Sequence, residues 1–381
     1  MRHECCINTY MEVRTMELYD LISPVENMLA ANADMLRMPL GGTMELLPLC
    51  NMNCKMCYIR QTRDQMEARG RMLSCDRWLK IARDAKDNGV LFLLITGGEP
   101  LVYPEFQRLY TELMHMGFVI TINTNGTLID EKWADIFGKY PCRRLNITLY
   151  GADDTTYERL CGNPKGFSQV MDAVKLLNDR KVPFRFNYSI TPDNINQLPQ
   201  IHEVAEQCHA HLEACSYMFP PARKEGYDNE FCRLSPEEAA ESLFSAFRGR
   251  NPQGDLSIAS KNTLEKLKHP VHLSSAKGLT CRAGRSGFWM NWKGELLPCG
   301  MFHEPRISLL EHSFKDCWEH IVKETSELLK CGECESCDKK RICKTCAAAC
   351  LTETGKIDGK PEYLCKMTEA YYKLLKSYCK S

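Results

Sequence analysis

A chain of 381 residues that is 44% hydrophobic and 26% charged can bury a large core, and its length suits one large domain with a smaller one. Lysine plus arginine and aspartate plus glutamate each number 49, so the formal net charge is zero and no global field draws in nucleic acid or anionic lipid. The N-terminus, MRHECCINTYMEVRTMELYD, lacks the apolar core of a secretory signal, and no later run reaches the roughly 18 apolar residues of a membrane span, so a cytoplasmic protein without a membrane partner is expected.

Residues 1–40 read as an N-terminal extension. TMELLPL (43–49) predicts a strand, and Trp78, Ala82 and Ala85 share one face of a helix stopped by Asn88-Gly89. VLFLLIT (90–96) is a continuously apolar strand of the kind buried on both faces of a parallel sheet. Phe106, Leu109, Leu113 and Met116 keep the helical period, Gly117 ends it, and FVITI (118–122) follows as a strand. A helix after Asp130, strand LNITL (145–149), a helix on Phe167, Val170, Val174 and Leu177, strand FRFNYSI (184–190), a helix over 194–208 and a sixth strand near 212–219 continue the series. Repeated βα units predict an α/β fold over residues 41–219, either an open barrel or a doubly wound sheet.

Residues 220–280 change character and read as a bridge. They hold the polar loop PPARKEGYDNE, a helix SPEEAAESLFSAF (235–247) with a Ser-Pro-Glu-Glu start, and a break at NPQGD. Residues 281–381 are cysteine-dense and close on a helix, MTEAYYKLLKSY (367–378); such a tail has too little apolar surface to fold without metal.

The chain carries 22 cysteines, and in a reducing compartment they point to metal or cluster ligation rather than disulfides. Cys50, Cys54 and Cys57 stand as C-x3-C-x2-C directly after the first strand. Three thiolates suit a cubane iron-sulfur cluster with one iron open to an outside ligand. Zinc, with a fourth ligand from elsewhere, is the alternative. In ITGGEPL (95–101), Gly97 and Gly98 allow a close backbone approach at the end of a strand, and Glu99 offers an acceptor for an ammonium. Taken alone, that segment is also an ordinary strand-to-helix turn.

In this order the two segments resemble the radical SAM superfamily. The resemblance implies a partial (β/α)6 TIM-like barrel in which Cys50, Cys54 and Cys57 hold a [4Fe-4S] cluster. Its open iron would take the amino and carboxylate groups of S-adenosylmethionine (SAM). Tyr58 fits the aromatic residue after the last cysteine, and Gly97, Gly98, Glu99 and Pro100 match the segment that receives the methionyl amino group. NTNGTLID (123–130) is similar to the family's segment after the third strand, and is equally a plain turn and cap. LYGADDTTYERLCG (149–162) resembles the segment after the fourth, which implies a ribose contact for Thr148 and a methionyl carboxylate contact for Arg159. The bland readings are a solvent-facing strand residue and a surface helix charge.

Cys281, the step from Gly294 to Cys299, and then Cys334, Cys337, Cys343, Cys346, Cys350 and Cys365 resemble the SPASM extension, which houses two auxiliary [4Fe-4S] clusters. The C-x12-G-x4-C and C-x2-C-x5-C spacings match, whereas Cys346 and Cys350 compete for one further position. The resemblance implies Cys281, Cys299 and Cys346 or Cys350 for the first auxiliary cluster, and Cys334, Cys337, Cys343 and Cys365 for the second. A zinc ribbon is the alternative. Cys331 belongs to neither set. Cys208, His209, His211 and Cys215 read as core and cap, and Cys5 and Cys6 have no reading.

The family's chemistry implies that a low-potential donor such as flavodoxin or ferredoxin reduces the first cluster. SAM is then cleaved to methionine and a 5'-deoxyadenosyl radical, which takes a hydrogen atom from substrate. The protein's part is to hold the reacting atoms in place and exclude water. Proteins with such a tail commonly modify peptides or proteins, so a maturase of a ribosomally made peptide is expected. Only about 40 residues precede the barrel, fewer than an independent leader-binding domain needs. An anaerobic sulfatase maturase is disfavoured, because Gly300 follows Cys299 where those enzymes carry an aspartate base. A small-molecule dehydrogenase is a further option. A non-catalytic zinc-binding module is the option of another class, and the intact Cys50, Cys54, Cys57 and Glu99 argue against it. No catalytic base is identified.

Overall fold

A computed structural model describes residues 24–221, 232–249, 256–268 and 277–379. NPQGD, most of PPARKEGYDNE, and Cys5 and Cys6 lie outside them. Helix α1 (Pro24–Leu36) leads into β1 (Gly41–Glu45), α2 (Arg63–Arg69), α3 (Cys75–Asp87), β2 (Phe92–Thr96), α4 (Phe106–His115), β3 (Val119–Thr124), α5 (Glu131–Lys139) and β4 (Arg144–Leu149). Then come α6 (Asp154–Cys161), α7 (Gly166–Asp179), β5 (Phe184–Ser189), α8 (Leu198–Gln207), β6 (Leu212–Cys215), α9 (Pro236–Gly249) and α10 (Leu256–Glu265). Local chemistry sets several of the boundaries: Thr62 and Gln65 form a capping box on α2, while Ser74 and Asp130 cap α3 and α5 through their side chains.

Strands β1 to β6 are parallel and lie side by side in chain order. A doubly wound sheet reverses its order at a switch point. No reversal occurs here, so right-handed crossovers put the helices on one side and the sheet is an open partial barrel. The first strand ends earlier than expected, at Glu45 rather than residue 49, because the chain turns through Leu46, Leu47 and Pro48, and Pro48 has no N–H for a ladder. The sixth likewise stops at Cys215.

The two faces of the sheet differ in chemistry. Met44, Ile95, Ile120, Ile122, Leu145, Ile147, Leu149 and Phe186 are fully buried against the helices, each worth roughly 1.5–3 kcal/mol. The alternate positions include Glu45, Thr96, Asn123, Asn146, Thr148, Arg185 and Asn187, and β3 alternates half-buried with buried along its length. Arg144 Nε and Arg185 Nε both donate to Asn146 Oδ1, at 3.0 and 2.9 Å. A polar concave surface therefore backs onto an apolar core.

The tail continues the same sheet. Strand β7 (Gly287–Met290) pairs in parallel with β1, and β8 (Glu295–Leu297) and β9 (Ile307–Ser308) follow antiparallel. A Cβ on Gly42 would stand 2.1 Å from the Phe288 ring, so β1 accepts β7 only because it carries glycine there. Helices α11 (Phe314–Glu327), α12 (Gly332–Glu335), α13 (Ala347–Thr354) and α14 (Glu362–Cys379) complete the tail. Helix α14 packs on α9, where Tyr363 Oη donates to Leu234 O at 2.8 Å. Among the described residues no helix is long and apolar enough to cross a membrane.

Candidate metal centre

The cysteine loop springs from the C-terminal end of β1, and the turn after β2 holds its stem. Gly98 N donates to Leu47 O at 2.7 Å and Glu99 N to Leu49 O at 3.0 Å. A Cβ would lie 2.7 Å from Leu47 O at Gly97 and 2.2 Å from Leu49 O at Gly98. The glycines thus permit a backbone approach, but to the stem of the cysteine loop. Glu99 is fully buried and accepts from Asn125 N at 2.8 Å, Leu101 N at 3.1 Å and Thr124 Oγ1 at 2.8 Å. Burial pushes its carboxyl up to about 7. Three protein donors already meet this group, which ties the β2 turn to the β3 turn. Pro100 opens the short 3-10 turn that Glu99 caps.

Hydrogen-bond donors converge on the thiols. Met52 N reaches Cys50 Sγ at 3.4 Å, Arg60 N reaches Cys57 Sγ at 3.3 Å, and Asn125 Nδ2 lies 3.7 Å from Cys50 Sγ. Asn125 also donates to Asn51 Oδ1 at 2.9 Å, and Asn51 in turn to Thr127 Oγ1 at 2.9 Å. Burial pushes the Cys50 thiol up to about 12, so iron must displace a proton there. The Cys54 thiol is held below its ordinary value by hydrogen bonding from Cys161, and burial drives Cys161 upward. Three cysteines with backbone and amide donors aimed at their sulfurs fit an iron-sulfur cluster. Among the described residues no three His, Cys, Asp or Glu side chains gather as a single metal ion requires.

The other expected residues are spread around this mouth. Thr148 is half-buried on the polar face, beside Asn187 of β5. Arg159 on α6 is half exposed and pairs with Asp193, Nε to Oδ1 at 3.2 Å, an acid that Lys55 of the cysteine loop also meets at 2.8 Å. Tyr58 packs against the tail's apolar group of Leu279, Met301, Phe302 and Ala348, on which Cys299 and Cys346 also pack.

In the tail, Cys331, Cys334, Cys337, Cys343, Cys346, Cys350 and Cys365 line one cavity of about 300 Å³, with Lys330, Lys339, Lys340 and Lys360 among its walls. Cys346 lies close enough to Cys281 to feel its charge, and Cys350 feels Cys331, Cys346 and Cys343. Cys331 is buried beside Cys334, on the wall of the same cavity. Gly294 makes the left-handed turn of the β7–β8 hairpin, φ 80°, which sets the G-x4-C spacing to Cys299. Gly300 lies under the Trp289 ring, which a Cβ would meet at 2.9 Å, and Trp289 Nε1 donates to the buried Glu45 at 2.7 Å. Cys208 closes the last turn of α8 and His209 takes φ 52° just after it, in keeping with a cap.

Sequence reasoning missed Asn51, Asn125 and Cys161. Asn125 sits in a segment that reads as a plain turn, and Cys161 reads as an ordinary apolar helix position.

The family model of the Radical SAM superfamily matches residues 44–205. The AdoMet-dependent heme synthase of Methanosarcina barkeri is 22% identical over 331 residues, covering 82% of this chain and 92% of that protein. The antilisterial bacteriocin subtilosin biosynthesis protein AlbA of Bacillus subtilis is 24% identical over 288 residues, 74% of this chain and 59% of that one. The crystal structure of Streptococcus suis SuiB superposes with a TM-score of 0.67 at 19% identity, covering 94% of this chain and 87% of SuiB, and a further SuiB structure holds its precursor peptide SuiA. The cysteine loop, the β2 turn that supports it and strands β2 to β5 fall within the matched segment, so over residues 44–205 the chain is similar to radical SAM enzymes.

Proposed function

We propose that this enzyme acts on a peptide or protein, as a maturase of a ribosomally made peptide. The observation that carries the reading is the Cys50, Cys54 and Cys57 loop, its sulfurs met by hydrogen-bond donors, standing at the end of a parallel sheet whose concave face is polar and half-buried. When bound, a [4Fe-4S] cluster and SAM supply reductive cleavage to a 5'-deoxyadenosyl radical. The chain's own residues bind and orient. Gly97 to Pro100 would receive the methionyl amino group, Thr148 the ribose, and Arg159, shared with Asp193, the carboxylate. Tyr58 would join that site to the tail, and the polar face would hold the substrate near the reacting carbon.

The tail is read as a SPASM domain with two auxiliary [4Fe-4S] clusters. The nearness of Cys346 to Cys281 supports Cys281, Cys299 and Cys346 for the first, whereas Cys350 lies by Cys331 as well as by Cys346. Cys334, Cys337, Cys343 and Cys365 would hold the second, and Cys365 feels both Cys343 and Cys337. Peptide substrates are supported by AlbA and by the SuiB structure with its precursor peptide. A flavodoxin or ferredoxin would supply the electron in the cytoplasm. A small carboxylate-bearing molecule is the second reading, favoured by the near full-length match to the heme synthase and by Arg144 and Arg185 on the concave face.

The test is anaerobic reconstitution with iron and sulfide, both counted per chain, followed by dithionite, SAM and mass detection of 5'-deoxyadenosine. About twelve irons with product is the expected result, four for each of three cysteine sets. Zinc without sulfide would sink the reading. Deuterium transfer into 5'-deoxyadenosine from peptides encoded nearby, or from carboxylate-bearing small molecules, separates the two substrate classes.

A further inference from the structure

The proposed function gives no part to an ion pair between the bridge and the tail. Arg233 donates to Glu353 of α13, Nη1 to Oε1 at 2.7 Å and Nη2 to Oε2 at 3.4 Å, and Tyr217 Oη, just past β6, donates to the same carboxylate at 2.9 Å. The guanidinium also lies on the Tyr363 ring of α14, its Cζ 4.0 Å from the ring centre. Only 8% of the Glu353 side chain and 22% of the Arg233 side chain are exposed, so this junction of barrel, bridge and tail is largely out of water. A pair so placed holds its geometry firmly, because separating it leaves a buried charge without its partner.

The residue before Arg233 reaches the mouth of the barrel. Cys232 Sγ donates to Asp193 Oδ2 at 3.6 Å, and Asp193 is the acid shared by Lys55 and Arg159, at 2.8 and 3.2 Å. Backbone pairing brings those two cations together: Asn53 N donates to Cys161 O at 2.8 Å and Lys55 N to Leu160 O at 3.0 Å, which lays the cysteine loop along the last turn of α6. Two cations on one carboxylate leave a positive charge for a second carboxylate. A continuous set of contacts therefore runs from α13, whose Cys350 lines the tail cavity, through residues 233 and 232 to the cations beside the cysteine loop.

We propose that Arg233 and Glu353 are positioning residues for SAM: through this ion pair and Cys232 the tail fixes Asp193, and so sets Lys55 and Arg159 for the methionyl carboxylate. The inference rests on the reading that Arg159 meets that carboxylate, and it adds Lys55 as a second cation there. Both cations are about half exposed, with 48% and 49% of their side chains open to water. Long side chains of this kind lose rotamer freedom when they bind, and an acid that already holds them in place lowers that cost.

The test is SAM affinity, measured by equilibrium dialysis on the reconstituted full-length protein, with decarboxylated SAM as the control ligand. Arg233→Met combined with Glu353→Met removes both charges together, so neither is left buried alone. That double variant should bind SAM about fivefold more weakly, with the affinity for decarboxylated SAM and the iron per chain unchanged. Cys232→Ala should act in the same direction, and Cys232→Ser, which keeps a donor, should restore the affinity. These two variants leave the ion pair intact and decide the matter if the double variant does not fold. Full iron with unchanged SAM affinity in the double variant and in Cys232→Ala overturns the proposal. An equal loss for both ligands also overturns it, since the pair would then support the SAM site as a whole, and so does loss of tail iron, since it would then be scaffold for the tail. Arg159→Ala in the otherwise unsubstituted protein separates the two readings: no effect on SAM affinity defeats the proposed part of Arg159 and this proposal with it, whereas a loss there beside a normal double variant defeats the positioning role alone.

Discussion

In the loop after β1, three thiols come from eight consecutive residues, and a lattice of hydrogen bonds from the β2 and β3 turns and the end of α6 shapes that loop. In the tail, seven thiols line one cavity from segments that begin at Cys331 and end at Cys365, and the two short helices between them bury few apolar side chains. The first site is shaped by the fold. On the proposed reading the second is a set of chain segments that metal would hold together, so that folding and ligation there would be one event. The proposed reading therefore gives the cysteines different parts: in the barrel a cysteine would matter for chemistry, in the tail for structure as well.

The strongest way to break this contrast is to remove the barrel thiols. Replacing Cys54 and Cys57 by alanine should abolish 5'-deoxyadenosine formation and about four irons per chain, while leaving the tail's iron and the overall circular dichroism intact. Surviving product in that variant would mean the radical site lies elsewhere. Chelation of iron from the whole protein should act on the opposite region. Amide exchange in residues 331–365 is expected to accelerate roughly a hundredfold while β1 to β5 keep their protection. Equal acceleration in both would show that the barrel, too, depends on metal.

The support beneath the cysteine loop gives a smaller effect. Gly98→Ala drives a Cβ to 2.2 Å from Leu49 O, and the displaced stem should cost about 3 kcal/mol in chemical denaturation and lower the iron bound by the first site. Glu99 adds a pH dependence in the metal-free protein. Its folded value of about 7 exceeds the ordinary 4.5, so the folded state binds the extra proton and the stabilisation is full below 4.5. It is lost as pH rises through about 7, by up to about 3 kcal/mol, at 1.36 kcal/mol per unit. Glu99→Gln should flatten that slope in melts between pH 5 and 8. Smallest is Arg159→Ala: its half-exposed pair with Asp193 contributes less than about 1 kcal/mol, so a large loss of SAM affinity with little change in stability is what its proposed role requires.

Much of the barrel was legible because its signals are local. Apolar runs, helical spacing and stop residues such as Asn88-Gly89 and Gly117 lie within a few positions of the elements they define, and the ordered repetition of βα units carries the parallel sheet. The choice between open barrel and doubly wound sheet was not legible, since it depends on which side each crossover takes. At the site, the C-x3-C-x2-C spacing marked the thiols, but Gly97 and Gly98 could not reveal that they pack on residues 47–49. Asn125 and Cys161 act across 75 and 107 positions of chain from their partners Cys50 and Cys54, where no periodicity reaches. The departure at Gly300 was visible, whereas its cause, the Trp289 ring in the space above it, needed the β7–β8 hairpin.

The parallel pairing of β7 with β1 bears on how the molecule can be divided. A chain cut before Gly287 would lose the strand that covers β1 and bare a row of unpaired backbone groups beside the groove that Phe288 fills over Gly42. Such an edge is a template for another molecule's strand. An isolated barrel should therefore precipitate or form strand-exchanged oligomers, and any tailless version made for engineering would need a substitute edge strand before it could be handled as a monomer.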